Sequence, residues 1–220
     1  MLKTKIVCTL GPATNSPRMI EQMIECGMNV ARINFSHGSH AEHKKTIDNI
    51  KAARERLGRP VAIMLDTKGP EVRIGKFRDG EVELPTGAHF TLTTDDIVGD
   101  ATRVSVSYRE LPNQLKPGSP VLVDDGNIEL SVESCTENEV HCVVTEGGVL
   151  KSGKGVNLPS IHLEIPHMGE RDRDDILFGI ECDVDFVAAS FVRCKEDVIN
   201  MRKFIDYNGG HKIRLISKIE

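Results

Sequence analysis

The sequence predicts an α/β protein built as the first five strands of a (β/α)8 TIM barrel, with a small all-β domain inserted after strand 3. Three observations carry this reading. Strand and helix signals alternate over residues 1–69 and resume over 168–220. Between them, residues 70–167 change to short β-branched runs punctuated by Asp79-Gly80, Asp125-Gly126 and Gly147-Gly148. Polar residues gather where the apolar runs end, as in barrels, while Gly11-Pro12-Ala13 after the first strand lacks the glycine fingerprint of a doubly wound dinucleotide fold. The barrel domain is therefore expected over 1–69, continued and truncated over 168–220, with the insert at 70–167 as a lid.

Residues 5–10 read as the first strand. Ser16-Pro17 caps a helix whose Ile20, Met23 and Ile24 share one face, and Gly27 stops it. A strand over 28–31 leads into the cluster Arg32-Ile33-Asn34-Phe35-Ser36-His37-Gly38. Ser39 and Glu42 form a capping box for a helix through Ile47, Ile50 and Leu57 to Gly58. The apolar run 61–65 is a third strand, covered on both faces, and ends in Asp66-Thr67-Lys68-Gly69-Pro70-Glu71-Val72-Arg73. In the insert the strands are 89–94, 103–106, 121–123, 128–132 and 140–145. A helix over 171–180 then leads to a strand over 186–190, and a helix over 195–205 to a strand over 213–217.

With 39% hydrophobic residues among 220, the chain can bury a real core in one domain or two. No apolar stretch approaches the roughly 18 residues of a membrane span, and residues 6–10 are too short and wrongly flanked for a signal peptide, so no membrane partner and a cytoplasmic location are expected. The six cysteines form no CxxC pair or zinc spacing, which predicts reduced thiols. No Trp, few other aromatics and a net charge of -5 argue against a nucleic-acid partner. Residues 70–167 hold 8 Lys+Arg against 16 Asp+Glu, whereas the remainder holds 20 against 17. The flanking segments that carry the strand-end clusters are the basic part, as an anionic substrate favours.

Asn34, Ser36, Asp66 and Thr67 offer neutral and anionic oxygens from two adjacent strand ends, a ligand set for a hard cation, monovalent given the low formal charge. A hydrogen-bonded rim that closes the barrel is the alternative. Arg32 and Arg73 supply guanidinium forks able to converge on a phosphoryl group; solvated surface arginines are the alternative. Lys218 and Glu220, two apart at a strand end, aim the same way. A lysine there can stabilise a developing anion while the carboxylate holds Mg2+, and a simple ion pair is the other reading. Residues 148–155 nearly spell a P-loop, but Gly155 replaces the required Ser/Thr and strand residues follow. His37, His40 and His43 have no cysteine nearby and no further ligand, so exposed helix histidines are expected for His40 and His43 rather than zinc.

The blocks at residues 5–12, 29–38, 65–73, 123–126, 154–159, 189–191 and 216–220 together resemble pyruvate kinase, in that family's order and over the whole chain, with the β insert after the third barrel strand. The resemblance is to bacterial K+-dependent members. It implies phosphoryl transfer from phosphoenolpyruvate to ADP, giving ATP and an enolate that is protonated to pyruvate, in glycolysis. It implies Mg2+ (or Mn2+) and K+ as cofactors. Asn34, Ser36, Asp66 and the Thr67 carbonyl would hold K+, and Arg32 would bind the transferring phosphoryl. His37, Arg73 and Lys154 would contact the nucleotide, Lys218 would stabilise the transition state and the enolate, and Glu220 would supply one Mg2+ ligand. Glu71 marks the K+-dependent kind, since members with Lys there replace the ion's charge.

Ile74 stands where the family usually has Thr, and Ser160 where it usually has Gly. Family members continue through three more strands, bearing an Asp for Mg2+ and a substrate-binding Thr, and then a regulatory domain. A chain ending at Glu220 is therefore expected to be inactive alone, while the full-length enzyme is expected to be a homo-oligomer. A hinge near 68–70 and a return near 166–167 are expected to let the insert close over the nucleotide. The competing readings are a Mg2+-dependent C-C lyase of the pyruvate and phosphoenolpyruvate barrels, and a non-catalytic truncation that binds nucleotide or an anion.

Overall fold

The computed structural model describes residues 3–159, 161 and 164–219, so Glu220 and Ser160 lie outside the described residues. The chain forms two compact units, Met1–Pro70 with Pro166–Glu220, and Glu71–Ile165. The first unit begins β1 (Ile6–Thr9), α1 (Pro17–Glu25), β2 (Met28–Asn34), α2 (His40–Leu57) and β3 (Ala62–Asp66). The second runs β4 (Val72–Arg73), β5 (Glu81–Leu84), β6 (His89–Thr93), β7 (Arg103–Ser105), α3 (Leu111–Gln114), β8 (Pro120–Val123), β9 (Ile128–Cys135), β10 (Glu139–Glu146), β11 (Gly148–Lys151) and β12 (Gly155–Asn157). The first unit resumes with α4 (Glu170–Glu181), β13 (Phe186–Ala189), α5 (Lys195–Tyr207) and β14 (Arg214–Ser217).

In the first unit the strands lie in the order β1-β2-β3-β13-β14, each pair parallel. The helices start where their caps dictate. Ser16 Oγ accepts from the Met19 N–H at 3.3 Å, and Ser39 and Glu42 make a reciprocal capping box. Gly58, left-handed at φ 59°, ends α2. Ile20 and Ile24 of α1, Ile47 and Ile50 of α2, Ile176 of α4 and Met201 and Ile205 of α5 share one core with Ile63, Leu65 and Val187 of the sheet. Central β3 is covered on both faces, whereas edge strands β1 and β14 leave Ile6 48%, Val7 51% and Ile216 40% exposed.

β2 extends three residues past the predicted end at 31, because Arg32, Ile33 and Asn34 pair with Met64, Leu65 and Asp66 of β3. Arg32 and Asn34 are thus strand residues, and sheet pairing fixes where they stand.

The second unit is built on a seven-stranded sheet, β4-β12-β8-β9-β10-β6-β7. Its ends meet: Gly75 N–H donates to Ser105 O at 2.7 Å, Ser107 N–H to Arg73 O at 2.9 Å, and Ile74 bridges Val106. A Cβ at Gly75 would stand 2.0 Å from Ser105 Oγ, so a side chain at this seam would make the Ser105 hydroxyl turn away from Ile97 O. Phe90, Leu92, Val104, Val121, Leu130 and Val140 fill the interior with no solvent exposure. β4, β5, β11 and α3 are absent from the sequence reading, and β12 enters it only as the strand residues that follow the P-loop-like stretch, since segments of two to four residues are too short to show a period. Among the described residues no helix is long and apolar enough to cross a membrane.

Candidate functional site

The C-terminal ends of the parallel strands converge on Asp66, which is 1% exposed. Arg32 Nε donates to Asp66 Oδ2 at 2.6 Å, and its Nη2 pairs with the same oxygen. Lys218 Nζ donates to Asp66 Oδ1 at 3.1 Å. One buried carboxylate therefore lies between two cations from strand ends on either side, leaving the trio with net positive charge. A buried charge is tolerated only when paired, so Asp66 holds both cations in place while they remain partly open to solvent.

The other oxygens surround this trio. Asn34, opposite Asp66 in the sheet register, accepts from the Ser36 N–H at 3.0 Å. Thr67 is buried, its N–H bonded to Ala188 O at 3.0 Å and its carbonyl accepting from Ser190 Oγ at 2.6 Å. Ser190 Oγ also accepts from Lys218 Nζ at 2.9 Å. The structure thus brings together Arg32, Asn34, Asp66, Thr67 and Lys218, with Ser36 adjacent. Glu220 lies outside the described residues.

Arg73, Glu71 and Lys154 belong to the second unit. Arg73 Nε donates to Glu71 Oε2 at 2.7 Å and Arg73 Nη1 to Gly153 O at 2.6 Å. Lys154 Nζ pairs with Asp124 Oδ1 at 2.6 Å, an interaction that holds the Asp124 carboxyl below the usual range. The P-loop-like stretch is β11, a turn and β12, with no helix to bind phosphate at its N-terminus.

His37 is exposed and lines a cavity of about 350 Å³ with Gly11, Pro12, Asn15, Gly38 and His43. A cavity of about 710 Å³ opens at the opposite strand ends, beside Lys5, Met28, Val61 and Asp185, away from the charged trio. The smaller one neighbours the chemistry. His43 corrects an expectation: it is buried, with its ring 4.1 Å from that of Phe35, and burial pushes its pKa down. His40 Nε2 lies 2.6 Å from Asp175 Oδ1 and its ring stacks on Phe178. No group of three or more His, Cys, Asp or Glu able to hold a metal occurs among the described residues.

Sequence reasoning missed three supporting groups. Thr9 Oγ1 accepts from Arg32 Nη1 at 2.6 Å, which its place at the end of the first strand could have signalled. Arg171 Nη2 donates to Phe35 O at 2.8 Å and Ser36 O at 3.2 Å, fixing the turn after β2. Asp172 accepts from the Gly69 N–H at 3.0 Å and the Gly169 N–H at 3.3 Å. Neither Arg171 nor Asp172 has a local pattern that announces its distant partner.

The family model "Pyruvate kinase, barrel domain" matches residues 1–220. A pyruvate kinase of Clostridium perfringens is 47% identical over 221 residues, covering 100% of this chain and 47% of the relative. One from Staphylococcus saprophyticus is 49% identical over 222 residues, covering 100% of this chain and 38% of the relative. The chain thus spans about half the length, or less, of these curated relatives. With the parallel strand ends and the Arg32, Asp66 and Lys218 trio, these likenesses establish that the chain belongs to the pyruvate kinase family.

Proposed function

We propose that the complete protein transfers the phosphoryl group of phosphoenolpyruvate to ADP, forming pyruvate and ATP in glycolysis. The observation that carries this reading is the buried Asp66 carboxylate held between Arg32 and Lys218 at parallel strand ends. Phosphoryl transfer asks the protein mainly for positioning and charge neutralisation, which two cations on a rigid sheet supply. Arg32 binds the transferring phosphoryl. Lys218 stabilises charge as it develops on that group and on the enolate, which then takes a proton to become pyruvate. On family grounds His37, Arg73 and Lys154 are the proposed nucleotide contacts, and His37 lines the 350 Å³ cavity.

Asn34, Ser36, Asp66 and the Thr67 carbonyl are an all-oxygen donor set with one carboxylate, which suits K+ better than a divalent ion. Glu220 is the proposed Mg2+ (or Mn2+) ligand on family grounds. When bound, these ions supply positive charge to the phosphoryl oxygens. The half-exposed edges of β1 and β14 support completion of a (β/α)8 barrel by further strands. Six free cysteines agree with a reducing cytoplasm. The full-length enzyme is proposed to be a homo-oligomer, and residues 1–220 by themselves are proposed to be inactive.

A coupled assay of the complete protein tests the reading. Pyruvate and ATP should form together from phosphoenolpyruvate and ADP with Mg2+ and K+. Pyruvate release without ATP, or no reaction, would contradict it, and C-C cleavage of a larger acid would point to a lyase.

A further inference from the structure

Resting on the kinase reading, we infer that Ser190 is a positioning residue that ties Lys218 to the proposed cation ligands. Its hydroxyl is 2% exposed by residue and has three polar atoms in reach: Thr67 O at 2.6 Å, Lys218 Nζ at 2.9 Å and Asp66 Oδ1 at 3.2 Å. An ammonium only donates, so Ser190 Oγ accepts from Lys218 and must give its single proton elsewhere. The shortest contact assigns that proton to the Thr67 carbonyl. The bonds therefore run in one direction, from Lys218 through Ser190 to a carbonyl in the proposed K+ set. Asp66, another member of that set, meets Lys218 directly.

The backbone at Ser190 is fixed from several sides. Its N–H donates to Thr67 Oγ1 at 3.2 Å, and its carbonyl accepts from buried His167 Nε2 at 2.9 Å. The next residue, Phe191, has φ 54°, a left-handed conformation costly for an aromatic side chain. Gly69 packs so closely that a Cβ there would be 2.9 Å from Ser190 O and 3.0 Å from Ser190 Cβ. Strained backbone persists only where its surroundings over-determine it, and here all of them aim one hydroxyl between a lysine and a carbonyl. A cation drawing on Thr67 O and Asp66 thus acts on the same network that sets where Lys218 points, without touching the lysine.

The test compares wild type, Ser190→Ala and Ser190→Thr in the complete protein. Ser190→Ala should lower kcat about tenfold, the scale of one charge-assisted hydrogen bond. KM for phosphoenolpyruvate should stay within about twofold, and the K+ concentration for half-maximal activation should rise several-fold. Ser190→Thr, which keeps the hydroxyl, should recover most of kcat. A second readout is independent of turnover: the rise in melting temperature on adding KCl, against tetramethylammonium chloride at equal ionic strength, should need several-fold more K+ in Ser190→Ala. Unchanged kcat and unchanged K+ response in Ser190→Ala would overturn the inference while leaving the kinase reading intact. A wild type that shows the K+-dependent thermal shift but no pyruvate formation would instead overturn the kinase reading. Loss of stability in both variants without any change in K+ response would make Ser190 a packing residue and also overturn the inference.

Discussion

The two units manage the edges of a β-sheet in opposite ways. In Glu71–Ile165 the first and last strands of the main sheet meet across the Ile74 and Val106 seam, and the apolar core is covered by its own chain. In the parallel unit β1 and β14 have no second partner strand among the described residues, and Ile6, Val7, Ile216 and Ile219 lie exposed. An unpaired parallel edge invites pairing with another chain, while a closed sheet presents none. The difference separates two demands on the sequence. Stability is satisfied locally in the closed unit, whereas the Asp66 trio stands on a sheet whose two outer strands are partly exposed.

The largest effect expected from this contrast is complete loss. A protein of residues 1–220 alone should show no measurable phosphoryl transfer and should associate through its open edges, with order retained best in the closed unit. Coupled turnover and sedimentation check this, and a compact, active monomer would break the contrast. Next, Phe90→Ala in the closed core should cost about 3–5 kcal/mol. Ile6→Ala at the open edge should cost about 1 kcal/mol or less. Urea unfolding of the complete protein measures both, and equal losses would show that the units are not differently closed.

A smaller effect concerns Glu71, which Arg73 already pairs. Glu71→Lys should free Arg73, add positive charge and relax the K+ requirement of the complete enzyme. Activity measured with and without K+ decides it; a variant as K+-dependent as the wild type would remove Glu71 from that role. The smallest effect is one of pH. The Asp124 carboxyl is depressed, first by its hydrogen bond from Lys154, so its contribution is present above the ordinary carboxylate range and lost as pH falls through the lowered value. Lys154→Met should therefore lower the melting temperature slightly near neutral pH and match the wild type at the acid end, where Asp124 is protonated in both, as melting temperatures from pH 2 to 7 would show.

The parallel unit was the more legible of the two. Ser39 with Glu42 and Ser16-Pro17 are local chemical signals, and they placed α1 and α2. The run 61–65 announced a buried strand by composition alone. Arg32, Asn34, Asp66 and Lys218 could be read because they end such runs. Ser190 was visible as a strand-end residue but not as a bridge, because its partners Thr67 and Lys218 lie 123 and 28 residues away. In the closed unit, β4 and β12 are strands through pairing, Arg73 opposite Gly155 and Val156 opposite Val123 of β8, rather than through any periodicity. His43 was misread as exposed because its position on α2 faces Phe35, a contact set by how the turn after β2 folds back.

The most direct measurement is the kinetic split of Lys218→Met in the complete enzyme, because Lys218 is the group whose interaction should strengthen only as charge develops. The structure places its ammonium 3.1 Å from Asp66 Oδ1 at the open strand ends. Turnover of phosphoenolpyruvate with ADP should fall on the order of a hundredfold or more, with phosphoenolpyruvate affinity nearly intact. Weaker binding with unchanged kcat would contradict the role assigned to Lys218, and with it the claim that the Asp66 trio is where phosphoryl transfer occurs.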